Sequence, residues 1–341
     1  YLLIGTIGAS LYLLGLAYLF AMTGTLNMAD MATRLPALGD PAALRVALAF
    51  VVTGLAMKMA LFPMHAWLPD AYTYAPSAAT GLIAAVMTKV GAYALLRVLY
   101  GVLWPAVGPM HLPLTPLIGW TACAAIVAGS AMALAQTDLK RLLAYSSVSH
   151  VGYLALGLAL GNRDGLLGTM LHIIGHGLGK GCLFLVAGAV AYRHGGRALP
   201  AWRGLSRSMP FSMAAFAVAA LSMIGVPPTI GFFSKLYLIL GSLQAGQVGF
   251  AVVLLLSSLL NAWYFFRVLE AVYLEAPEVE QKAPAGRELP GSMLAPILGM
   301  AAAVLVIGVL SYPLVQHVLT GALNGLPGAP PQITELLHGS R

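Results

Sequence analysis

The chain has only six lysines in 341 residues, and four of them, Lys58, Lys89, Lys180 and Lys235, fall inside apolar stretches long enough to cross a membrane. The twelve arginines lie mostly between those stretches or near their ends. Burial makes a lysine give up its proton readily, whereas a guanidinium stays charged. A lysine at membrane depth can therefore release and recover a proton. Holding one at a helix centre costs about 2.5–3.5 kcal/mol, and ionisable groups at that depth mark ion pathways. The alternative is a stem laid along lipid with its amine at the interface. That alternative suits Lys58 best, because it sits near the end of its stretch.

Histidines extend the pattern. His172, His176 and Lys180 are spaced i, i+4, i+8, and each step of four turns a helix by only about 40°. All three line one face. Histidine titrates near neutral pH, so three such groups up one face suit a proton wire. The plainer reading is a polar stripe satisfied by neighbouring helices. His150, with Ser146, Ser147 and Ser149, forms a second polar patch, better suited to hydrogen bonding between helices than to transport.

Two stretches are interrupted by proline beside a lysine. Lys58 lies five residues before Pro63, and Lys235 lies seven residues after Pro228 in the run Pro227-Pro228 to Lys235. Proline frees backbone carbonyls, which are tolerated at membrane depth only beside protein or water. Broken helices in two comparable positions point to an ion path. No carboxylate lies in the middle of any stretch, and Glu270 comes nearest. The partner of the lysines is therefore elsewhere, or the lysines are often neutral.

The positioning elements follow from composition. The chain is 60% hydrophobic and 9% charged, against about 25% charged for a soluble domain. This predicts an all-α polytopic membrane protein of about nine spans, near residues 1–22, 42–61, 77–100, 116–136, 142–160, 165–192, 211–243, 247–273 and 293–320. An amphipathic link is expected over 25–40, a charged loop over 275–291 and a loose tail after 320. With no internal repeat in view, residues 1–341 read as one domain. Tyr1 stands inside an apolar run without a charged leader, so no signal peptide is expected, and the true N-terminus is expected upstream.

The net charge of +7 reads as loop asymmetry rather than nucleic-acid binding. Connections after spans two, four, six and eight carry nine Lys or Arg, against five in the other loops and the tail. The richer side is expected in the cytoplasm, which puts Tyr1 inside and Arg341 outside. Cys123 and Cys182 both lie in apolar segments without a CxxC pair, so no metal, cofactor or disulfide framework is expected.

The run Lys58 to Asp70, continuing through Ala75-Pro76-Ser77 to Thr88-Lys89-Val90-Gly91, resembles the proton-conducting transporter family. So do Asp138 to His150, the His172/His176/Lys180 ladder and Gly231-Phe232-Phe233-Ser234-Lys235. That family holds antiporter-like subunits of respiratory complex I, of Mrp-type cation/proton antiporters and of membrane-bound hydrogenases. The resemblance spans nearly the whole chain. It implies two inverted five-helix bundles, each with a broken helix. It further implies Lys58 and Lys89 in a first half-channel, His172, His176 and Lys180 as a central relay, and Lys235 as an exit lysine. The family's glutamate partner of the first lysine would lie upstream of Tyr1, which leaves the first half-channel incomplete here. The runs 88–97 and 24–30 look most like the D subunits of Mrp-type antiporters. The implied function is a proton-translocating subunit of a Na+/proton antiporter, with other membrane subunits, protons, exchanged Na+ and lipid as partners, in a prokaryotic plasma membrane. The alternative within the family is a proton-pumping subunit of NADH:quinone oxidoreductase or a hydrogenase, which would make the chain part of an enzyme. Outside it stand a b-type cytochrome, with His150 and His172 as axial ligands, and an inactive scaffold.

Overall fold

In hydrocarbon every backbone polar group must be satisfied within its own segment, so long apolar stretches become helices. The computed structural model describes residues 2–39, 41–107, 114–276 and 288–326. The expected tail, the termini and most of the charged loop, with Lys282 and Arg287, lie outside the described residues.

The helices are α1 (Leu2–Thr23), α2 (Met28–Arg34), α3 (Ala42–Met59), α4 (Trp67–Tyr74), α5 (Ser77–Val98), α6 (Trp104–Val107), α7 (Leu114–Leu134), α8 (Leu139–Leu160), α9 (Arg163–His194), α10 (Pro210–Ile224), α11 (Ile230–Gln244), α12 (Val248–Tyr273), α13 (Gly291–Val309), α14 (Ser311–Leu314) and α15 (Thr320–Asn324). Eight helical segments among the described residues are long and apolar enough to cross a membrane. The shorter apolar pair α10 and α11 together cover the remaining expected span. The protein is thus a multi-pass all-α membrane protein.

Both expected breaks are present. α3 stops at Met59, Ala60 adopts a left-handed φ of 60°, and Pro63 lies in the turn before α4. Leu61 N and Ala60 N donate to Ala56 O and Met57 O, and the Trp67 indole also donates to Met57 O at 3.1 Å. α10 stops at Gly225, whose φ of 94° is open to glycine at little cost, and Pro227 and Pro228 precede α11. Gly231 lets the two halves meet: a Cβ there would stand 1.8 Å from Ser222 O.

Two spans differ from expectation. The third continues to Ala106 through a π-helical turn, Leu99–Leu103. The ninth does not run unbroken to 320. It ends at Val309, and a short helix, a π-helical turn over Val315–Leu319 and α15 follow. Pro313 has no N–H to continue the ladder.

The site rests on α8 and α9. Asp138 caps α8 by accepting from Arg141 N at 3.0 Å. Asn162 caps α9 through Gly165 N at 2.8 Å, and its amide donates to Gly241 O at 2.6 Å, tying α9 to α11. α8 is buried almost throughout, and α9, 32 residues long, packs against α5, α8, α10, α11 and α13. α12 closes the site against α7, α10 and α11.

Candidate functional site

Three lysines reach the interior from three different helices. Lys180 on α9 is 0% exposed, and Lys89 on α5 and Lys235 on α11 are each 5% exposed. No carboxylate forms an ion pair with any of them among the described residues. Oxygen dipoles take that place. Lys235 Nζ donates to Met223 O at 2.9 Å, Ile224 O at 2.8 Å and Ser258 Oγ at 3.1 Å. Met223 and Ile224 are the last residues of α10, so the amine sits on the negative end of a helix dipole. Lys180 Nζ donates to Leu143 O at 2.9 Å and Ser146 Oγ at 2.8 Å on α8. Lys89 Nζ donates to Ala84 O in its own helix.

Between the lysines lies a stack of rings. His150 on α8 and His172 on α9 are joined Nδ1 to Nε2 at 3.1 Å, and His172 Nδ1 meets Ser234 Oγ on α11 at 3.0 Å. His176 stacks against both histidines, with ring centroids 5.0 and 5.6 Å away, and neither of its buried nitrogens has a protein partner. Tyr153 stacks on His172 at 5.3 Å, and Lys235 Nζ lies 5.1 Å from the Tyr153 ring centre. The histidine pair is directly bonded within closely stacked rings, which leaves no room for a macrocycle between them and counts against the cytochrome reading.

Lys58 is placed differently. It is exposed and lines a groove of 1020 Å³ between α1, α3 and α5, whose walls include Tyr12, Leu55, Val86 and Val90. His150 is buried and bonds between helices, as its polar patch suggested, and its partner is His172 of the ladder. Sequence reasoning missed Tyr153, Ser234, Ser258, Asn261 and Tyr264. A signal existed on α12, where Ser257, Asn261 and Tyr264 are spaced i, i+4, i+7 and so share a face.

The profile of the family described as NADH:quinone oxidoreductase/Mrp antiporter, TM, matches residues 1–261. NADH-quinone oxidoreductase subunit N of Desulforudis audaxviator is 52% identical over 333 residues, 95% of this chain and 66% of that protein. A Na(+)/H(+) antiporter subunit of Alkalihalophilus pseudofirmus is 32% identical over 320 residues, 94% of this chain and 64% of that one. A chain in the structure of the Mrp complex from Dietzia sp. DQ12-45-1b superposes with a TM-score of 0.86 at 28% identity, covering 99% of this chain and 69% of that chain. The chain spans about two-thirds of the length of the curated relatives it matches. Its folded spans, its two breaks and these matches agree: the chain belongs to the NADH:quinone oxidoreductase/Mrp antiporter membrane family.

Proposed function

We propose that this chain carries protons through the membrane as part of an antiporter-like subunit of a multisubunit assembly in a prokaryotic plasma membrane, its basic loops facing the cytoplasm. The observation behind this reading is the enclosed row of Lys89, Lys180, His150, His172, His176 and Lys235, with no carboxylate beside the lysines among the described residues. An amine held only by neutral dipoles has no counter-ion, so a proton leaves it without breaking an ion pair. Lys180 hands protons towards the histidines, and Lys235 exchanges them at the break between α10 and α11. His176, with both nitrogens free of protein partners, is the point where water joins the row. Pro63, Pro227 and Pro228 keep the two breaks open. We assign Lys58 to a first half-channel whose groove needs a further helix to close it.

The higher identity to a quinone oxidoreductase subunit, 52% against 32%, favours a redox-driven assembly. Sodium exchange is the second reading, supported by the fold match to an Mrp complex. Co-purifying subunits separate the two, because peripheral electron-transfer proteins belong only to the first.

The test of proton carriage is flux into vesicles holding the assembled complex. Lys180→Ala removes the titratable group, and Lys180→Arg keeps a charge that does not leave. Both variants should insert, assemble and lose flux. Near-normal flux in the arginine variant would reduce Lys180 to a fixed charge.

A further inference from the structure

A hydrogen-bonded chain leaves Lys180 and reaches the histidines by way of α12. Lys180 Nζ donates to Ser146 Oγ, which lies 2.8 Å from Tyr264 OH. Tyr264 OH lies 2.6 Å from Asn261 Oδ1, and Asn261 Nδ2 lies 3.5 Å from His150 Nε2, the longest link in the branch. Every one of these residues is buried.

The direction of each bond follows from one fixed acceptor. Asn261 Nδ2 also faces Met223 O at 3.4 Å. A carbonyl only accepts, so the side-chain nitrogen stands on that side and Oδ1 on the other. Oδ1 then accepts from Tyr264. The single Tyr264 proton is used there, so Ser146 donates to Tyr264 and accepts from Lys180. On the other arm, Nδ2 donates to His150 Nε2. A neutral His150 must then carry its proton on Nδ1, which donates to His172 Nε2. His172 in turn carries its proton on Nδ1 and donates to Ser234 Oγ. Ser234 Oγ donates to Gly231 O at 3.0 Å. All donors point one way, from the Lys180 amine to the Gly231 carbonyl.

We infer that Asn261, aligned by Tyr264, is a positioning residue that sets the tautomer of His150 and so the orientation of the whole histidine relay. Asn261 does not itself pass protons, because an amide would have to become an imidic acid to do so. It selects which imidazole nitrogen is the acceptor at rest, and therefore the direction from which the next proton arrives. The inference rests on the proton-relay reading for its functional meaning, but the tautomer can be read without transport.

The experiment uses the assembled complex with 15N-histidine, the His150 signals being assigned by their loss in His150→Gln, and proton flux measured in parallel. Wild type should show His150 protonated at Nδ1. Asn261→Asp keeps the acceptor for Tyr264 but removes the donor to His150. It should move the proton to Nε2 and cut flux by at least about tenfold, as a wrong tautomer does elsewhere. Tyr264→Phe preserves the packing but frees the Asn261 oxygen, and should give a mixture of both tautomers with a smaller loss of flux. Wild-type His150 protonated at Nε2 overturns the inference, as does an unchanged tautomer in Asn261→Asp. A switched tautomer with undiminished flux overturns the positioning role. If Asn261→Asp does not assemble, the wild-type and Tyr264→Phe spectra decide. Absence of flux in wild type would defeat the relay reading while leaving the tautomer assignment standing or falling on its spectrum.

Discussion

Replacing Lys235 by methionine separates a structural cap from a proton group. Methionine keeps the length and apolar stem of lysine while deleting the amine. Ile224 O at the end of α10 then loses its donor, while Met223 O keeps the Asn261 amide. An unsatisfied buried polar group costs about 1–3 kcal/mol. Against this, the variant no longer holds an amine at membrane depth, a relief of about 2.5–3.5 kcal/mol. The two terms nearly cancel, because Lys235 has no carboxylate partner to be stranded among the described residues. Lys235→Met should therefore assemble at close to wild-type yield, with a melting midpoint within a few degrees of wild type. Its proton flux should be lost. Lys235→Arg keeps a cation on the α10 dipole and should also assemble, yet fail to conduct. The assay pairs complex yield and thermal melting with flux into vesicles. Retained flux in the methionine variant refutes the argument. Loss of assembly in methionine but not in arginine shows instead that the lysine is a staple for the broken helix.

Two further changes test the framework. Gly231→Ala places a Cβ where Ser222 O already lies, 1.8 Å away, and should destabilise the complex by about 1–3 kcal/mol, seen as a lowered melting midpoint; an unchanged midpoint would mean that α10 and α11 are not held in this approach. Asp138→Ala removes the acceptor for Arg141 N at the start of α8 and should cost about 1 kcal/mol, with flux per assembled complex unchanged; a selective loss of flux would place Asp138 in transport rather than in capping.

The lysines and the ladder on α9 were readable because each depends on one element. Lys89, Lys180 and Lys235 stand out by type within apolar runs, and the i, i+4, i+8 spacing fixes a face whatever surrounds it. The breaks were readable because proline acts locally at Pro63 and Pro228. What fills the place of the missing carboxylates was not readable. Backbone carbonyls at Leu143, Met223 and Ile224 carry no signature in the sequence, and their meeting with lysines 11 to 37 residues away is a matter of tertiary packing. Asn261 and Tyr264 do leave a trace, the face they share with Ser257 on α12, but what that face meets is set only when α12 is laid against α8. Pro313 did lie in plain view, and carrying the ninth span past it ignored its missing donor.

The carbonyl oxygen of Met223 accepts from Lys235 and from Asn261 at once. It therefore joins two sites, the amine at the break and the imidazole behind the amide. Linkage makes such a junction reciprocal. Whatever the charge state of Lys235 does to the hold on Asn261, and through it to His150, the protonation of His150 does to Lys235 by the same free energy. A single lone-pair-bearing atom at the end of a half-helix thus makes the loading of one site and the unloading of the other a shared equilibrium.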